Sequence, residues 1–307
     1  MPIPARWRDR LALPVIAAPM TAVSGPELVV EACRAGVIGA FPTHNAASSR
    51  GLGDWLDRIC DELAPTDAPV AANLVVHRSN RRLSADLECL QNRGVELVIT
   101  SVGSPDAVVG PLHDAGAQVY ADVASLEHAR RALAVGVDGL VLLTAGAGGQ
   151  TGWANPFAFT RAVREFYPGP LVLAGGITDG RSILAAEALG ADLVYLGTRF
   201  IATRESLAED AYRQALVTSS LDDVRLSTRV GGIPASLLAC WLEQTDASGG
   251  DADGFDQNRL LSNRTAWSAG HSVSAVSAVT SVAELVATLA DQYAEARDDL
   301  RRLVTNE

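Results

Sequence analysis

Eight short apolar runs punctuate the chain, at 14–18, 37–41, 70–75, 96–101, 118–123, 139–143, 170–174 and 193–196. Each is four to six residues long and nearly all apolar, as parallel strands buried on both faces should be. Amphipathic stretches with helix signals lie between them. Residues 26–35 follow Ser24-Gly25, residues 125–135 begin with Ser125 as a cap, residues 156–166 open on Pro156, and residues 180–189 stop at Gly190. Three helix–strand joins repeat one device, a glycine between two apolar residues: Ala115-Gly116-Ala117, Val135-Gly136-Val137 and Leu189-Gly190-Ala191. One strand–helix unit repeated about eight times predicts an α/β fold of the (β/α)8 TIM-barrel type.

A chain of 307 residues with 48% hydrophobic composition suffices for one large barrel or two ordinary domains. Residues 1–200 read as the barrel core. Residues 201–307 read as an appended, mainly helical segment, with helices and loops over 200–280, a polar surface loop at 244–258 and a long helix over 282–304. The net charge of -11 argues against broad binding to nucleic acid or anionic membranes. No apolar run approaches the roughly 18–20 residues of a spanning helix. The start MPIPARWRDRLALP has no signal-like core, so a cytoplasmic protein is expected. Cys33, Cys60, Cys89 and Cys240 show neither CxxC nor metal spacing, and read as reduced, buried thiols with no metal site.

Chemistry in such a barrel is built at the carboxyl ends of the strands. The residues just past the runs are Ala18-Pro19-Met20, Thr43-His44-Asn45, Asn73, Ser101, Asp122, Thr144 to Gly152, Gly175-Gly176 and Gly197-Thr198. They are small, polar and rich in glycine. The stretch TAGAGGQTG at 144–152 has almost no side chains apart from Gln150, and reads as either a flexible turn or a wall that lets backbone approach a ligand. The AGG and LGT ends of the last two runs read as tight turns or as a phosphate site built from backbone N–H groups. Thr198 adds a hydroxyl there, with Arg199 nearby.

Several of these motifs resemble the nitronate monooxygenase family, formerly called 2-nitropropane dioxygenases, which are FMN-dependent TIM barrels. They are AAPM at 17–20, ANL at 72–74, GAGGQTG at 146–152, LAGGITDGR at 173–181 and LGTRFIATRES at 196–206, with WSAGHS at 267–272 as a later echo. LAGGITDGR and LGTRF also occur in FMN-containing enoyl- and quinone-reductase relatives, so they name the cofactor better than the reaction. The resemblance implies that Pro19 and Met20, preceded by Ala18, lie along the flavin ring. Asn73 would meet its pyrimidine side, near Ser101 and Asp122. Gly148 and Gly149 would let the loop pass close, Gly175, Gly176, Gly197 and Thr198 would bind the phosphate, and Gly270 and His271 would close the site.

Two departures from the family pattern affect the chemistry. Relatives commonly carry histidine in the glycine loop as a base, where this chain has Gln150, which is not basic near neutral pH but can hydrogen-bond a nitro group or carbonyl. Some relatives carry lysine where this chain has Asp122. His271 and His44 are the leading substitutes for the missing base, with His77 behind them; His113 and His128 read as structural or exposed. The reaction implied is oxidation of an alkyl nitronate with O2 to a carbonyl compound and nitrite, a preformed nitronate needing no proton abstraction. The alternatives are an NAD(P)H-dependent FMN enoyl or quinone reductase and a catalytically silent flavin-binding protein.

Overall fold

The computed structural model describes residues 3–244 and 254–305. Its centre is a closed barrel of parallel strands: Val15–Ala17 (β1), Ile38–Pro42 (β2), Val70–Val75 (β3), Leu97–Ser101 (β4), Gln118–Val123 (β5), Gly139–Leu143 (β6), Leu171–Ala174 (β8) and Leu193–Leu196 (β9). The pair Gly149–Gln150 (β7) lies outside the barrel. The ring closes where β1 meets β9, with Ile16 opposite Tyr195. Alternate residues face opposite sides. Ile16, Leu97, Tyr120, Val141, Val172 and Leu193 fill the barrel interior, while Val15, Val98, Val119, Leu140 and Val194 pack under the surrounding helices.

The helices start and stop where the sequence says. Ser125 accepts from the His128 N–H, and Asn155 caps the helix that opens on Pro156. Asp179 and Ser182 form a reciprocal capping box. Gly190 ends that helix with φ 104°, a left-handed conformation that costs glycine little. The amino-terminal mouth is plugged by a feature without a local signal. Ile3 and Trp7 join the interior cluster, and the Trp7 indole N–H donates to Glu96 at 3.1 Å.

Beyond residue 200 the chain does two things. It first makes an excursion with its own apolar cluster, centred on Tyr212, Leu216, Leu237, Leu238, Ala269 and Val273. This excursion holds an antiparallel hairpin, Val224–Ser227 (β10) with Ala235–Leu238 (β11), where the sequence suggested only helices and loops. These strands are four residues each and gain their partner through β7, a pairing no local pattern announces. The chain then returns as the helix Val282–Thr305, which packs against the helices Gly180–Leu189 and Pro26–Arg34. It thus takes the eighth place in the outer ring. Most of the polar loop expected at 244–258 lies outside the described residues. No helix among the described residues is long and apolar enough to cross a membrane.

Candidate active site

A cavity opens at the carboxyl ends of the strands. Its wall includes Ala18, Pro19, Met20, His44, Asn73, Ser101, Asp122, Gly148, Gly149, Gln150, Gly175, Gly176, Gly197 and Thr198. His271 is not part of that wall. Its ring is exposed and stacks beside Gly146, while its backbone N–H donates to the Gly146 carbonyl at 2.9 Å. Gly270 and His271 therefore tie the glycine loop down through backbone. His77 also stays out of the cavity, bonded to Ser79 and edge-on to Phe255. His113 pairs with Asp138 outside the barrel. Among the thiols, Cys33 and Cys89 are buried and Cys240 is partly so, but Cys60 is exposed, which corrects the expectation of four buried thiols. Cys60 sits on the outer side of an amphipathic helix. No group of described residues has the make-up of a metal site.

The glycine loop is ordered by contacts that only glycine permits. A Cβ on Gly148 would come within 2.7 Å of the Gly270 nitrogen, and one on Gly175 within 2.5 Å of the Thr144 hydroxyl. The Thr144 hydroxyl donates to the Ala174 carbonyl at 2.7 Å, joining the loop to the end of β8. On the other side the loop becomes β7 and pairs with β11, Gly149 opposite Ser236 and Gln150 opposite Ala235. The loop is a wall, not a loose turn. The Gln150 side-chain amide, half-buried on the cavity, has no hydrogen-bond partner among the described residues.

At the far end, Gly176 has φ +72° and no atom within 4 Å of the place a side chain would occupy. The Gly270 N–H donates to the Thr198 hydroxyl at 2.9 Å, leaving the Thr198 O–H free. Arg199 turns away and donates to the Thr178 carbonyl. Asn73 is pinned, its amide donating to the Ile99 carbonyl at 3.1 Å and accepting from Ser101 at 3.3 Å.

His44 is buried, and its Nε2 lies 3.0 Å from the Thr21 hydroxyl. Burial first, then the Arg264 and Arg82 guanidinium groups, lower its pKa to about 4. It is neutral at physiological pH and a weak base. Asp122 behaves oppositely, since burial raises its pKa to about 7. Two cavity residues carried no sequence signal as site residues. Arg264 reaches the wall from the excursion and donates to the Asn45 carbonyl at 3.1 Å. Tyr195 lines the cavity from β9. Period-two alternation with Leu193 could have placed Tyr195 inside the barrel; nothing local marks Arg264.

The family model described as nitronate monooxygenase matches residues 77–292. The chain belongs to this family. Its members are flavoproteins, and this protein is an oxidoreductase of that kind. Among similar proteins, a (3aS,4S,5R,7aS)-5-hydroxy-7a-methyl-1-oxo-octahydro-1H-indene-4-carboxyl-CoA dehydrogenase of Mycobacterium tuberculosis is 30% identical over 79% of this chain and 67% of its own length. Its counterpart in Rhodococcus jostii is 28% identical over 73% of this chain, and the match spans 62% of that relative. A nitronate monooxygenase of Paraburkholderia phytofirmans is 29% identical over 74% of this chain and 73% of its own length. Among solved structures, nitroalkane oxidase from Streptomyces ansochromogenes superposes with a TM-score of 0.85 at 24% identity, over 96% of this chain and all of that one. FabK from Thermotoga maritima follows at 0.81 and 22%, over 95% and 96% of the two chains. At these identities the structural likenesses speak for the fold.

Proposed function

We propose that this protein binds FMN and oxidises alkyl nitronates with O2 to a carbonyl compound and nitrite. The residues present fit a flavin carrying a terminal phosphate. The open space beside Gly176, between the side-chain-free backbone of Gly175 and Gly197, with the free O–H of Thr198, suits a phosphate. Pro19, Met20 and the close-packed loop at Gly148-Gly149 suit a flat ring, and the fixed Asn73 amide suits a pyrimidine edge. When bound, the flavin accepts electrons from the substrate and passes them to oxygen.

The chain's own residues supply the rest. The observation that carries the substrate class is the balance of the wall: donors and a cation, but no working base in the loop. The unpartnered Gln150 amide can donate to a nitronate oxygen. Arg264 adds a positive charge that no described carboxylate neutralises, while His44 stays neutral beside it. Such a wall favours a substrate that arrives as an anion over one that must lose a proton on the enzyme. The test is anaerobic mixing of the purified protein with propyl nitronate, the parent nitroalkane and NAD(P)H in separate experiments. Bleaching by the nitronate alone is the expected result; bleaching by NAD(P)H alone would overturn it.

A second reading, a flavin-dependent oxidation or reduction of an acyl thioester, is favoured by the 30% identity to the carboxyl-CoA dehydrogenase. It predicts flavin reduction by NAD(P)H, or reoxidation by an enoyl thioester, with the nitronate inert.

A further inference from the structure

The floor of the cavity holds an acid with no counter-ion. Asp122 lies two residues beyond the interior Tyr120 on β5, so it shares the inward face of the barrel. Its Oδ1 is sealed from solvent and has no hydrogen-bond partner, and the same is true of the Tyr195 hydroxyl. The two groups sense each other, since a charge on Asp122 makes ionisation of the Tyr195 phenol harder. The remaining titratable groups around the cavity are His44, Arg264 and Tyr212, with Tyr120 beneath. None of them offsets a charge on Asp122, whose acidity is set by burial alone. The rest of the surface of Asp122 faces the cavity. A cofactor lying there would strip the last water from the carboxyl and disfavour its charged form further.

We propose that Asp122, lining the cavity with its Oδ1 sealed and unpartnered, is held as the neutral acid by bound cofactor, so that flavin binding and proton uptake at this carboxyl are one event. The inference rests on the flavin reading above. The step is a simple protonation: carboxylate and one proton become carboxylic acid as FMN enters. The consequence is chemical. A neutral acid presents an O–H donor to the cofactor, whereas a carboxylate presents only lone pairs. The site then accommodates an electron-rich flavin without a negative charge under it.

The test is calorimetric titration of the flavin-free full-length protein with FMN in buffers of different ionisation enthalpy. Between about pH 7.5 and 9 the FMN phosphate is already a dianion and contributes no protons. Wild type should take up about three quarters of a proton per FMN at the lower end of this range and close to one at the upper end, and its Kd should rise by up to about tenfold per pH unit. Asp122→Asn, which keeps an N–H donor, should show no such uptake and a flat Kd. Independently of any variant, the infrared spectrum of the wild-type holoenzyme at about pH 8 should contain a protonated-carboxyl band, because solvated acids are ionised there. Equal uptake by wild type and Asp122→Asn, or a holoenzyme without that band, would overturn the proposal. Failure of the wild type to bind FMN at any pH would instead overturn the flavin reading.

Discussion

Gln150 is the longest polar side chain of the glycine loop 144–152, and its amide has no partner among the described residues, so its function must be read from what enters the cavity. Losing one hydrogen bond to substrate should cost about 1–3 kcal/mol, or roughly 5- to 150-fold in kcat/KM. Gln150→Ala is therefore expected to lower efficiency on a nitronate by that range without removing an ionisation from the pH profile. Gln150→His should raise activity on the neutral nitroalkane, because a base would then stand in the loop. Unchanged kinetics in Gln150→Ala would put the substrate elsewhere in the cavity. Gly176 makes a second single-residue test. Its backbone is left-handed and the space beside it is open, so Gly176→Asp adds strain and a negative charge where a phosphate dianion should sit. Loss of FMN from the folded variant is expected; normal flavin occupancy would show that the phosphate lies elsewhere. Asp122 also affects stability. Its native pKa of about 7 stands above the 3.8 of a solvated aspartate, so the native state holds a proton that the unfolded chain releases. Stability consequently falls as pH rises from about 4 to 7, and the full loss persists above 7. In the flavin-free protein, Asp122→Asn should be more stable than wild type at about pH 8 by roughly 2–4 kcal/mol, with the difference gone below about pH 4. Equal denaturation midpoints at both pH values would mean a solvated carboxyl.

Between elements, the decisive contact is the three-way junction of the glycine loop, β11 and the 268–272 segment. Gly148 packs on the backbone of Ala269 and Gly270, and backbone cannot rotate out of the way of a new methyl. Gly148→Ala should push the two segments apart, a strain of about 1–3 kcal/mol, and weaken flavin retention more than it lowers the melting temperature. Unaltered flavin affinity would show that the junction does not shape the cofactor wall. This junction also marks where sequence reading stopped. The eight apolar runs reappear as the eight barrel strands because a strand buried on both faces has a local signature, and the caps at Ser125 and Gly190 have one too. The strand ends then gave most of the cavity wall, since barrel geometry alone brings them together. The β7–β11 pairing has no such signature. It joins residues about 85 positions apart, and its loop strand is two residues long. His271 shows the same limit from the other side. Its place in WSAGHS brought it to the site's rim, but the hydrogen bond from its backbone to Gly146 turns the ring outward. Arg264 escaped because its position depends on how the whole excursion folds back over β2.

On the scale of the whole molecule, the barrel is closed twice, by hydrogen bonds between β1 and β9 and by the return of the helix Val282–Thr305. Read along the sequence, that helix looks like a tail on an appended segment. In space it lies between the helices Gly180–Leu189 and Pro26–Arg34, burying Val282, Leu285, Val286 and Leu289 in the same core as the barrel strands. It is held along its length: the Gly180 N–H donates to Gln292 at 3.3 Å, Tyr293 donates to Glu187 at 2.6 Å, and Arg181 pairs with Asp299. The exposed ion pair adds little; close packing at Gly180 should matter more. A Cβ at that position would run into the backbone of Gln292 and Tyr293, so the helix could be accommodated only by moving away from the barrel. Gly180→Val is expected to lower unfolding stability by about 2–3 kcal/mol. The transition should remain single, because the helix and the barrel share one core. Bound flavin should survive below the transition, since the substitution lies on the outer ring and not on the cavity wall. Chemical denaturation followed by flavin fluorescence and by circular dichroism would test this. An unchanged midpoint would mean that the helix does not bear on Gly180. A separate early transition without flavin release would mean that residues 282–305 are an appendage after all, and that the barrel closes without them.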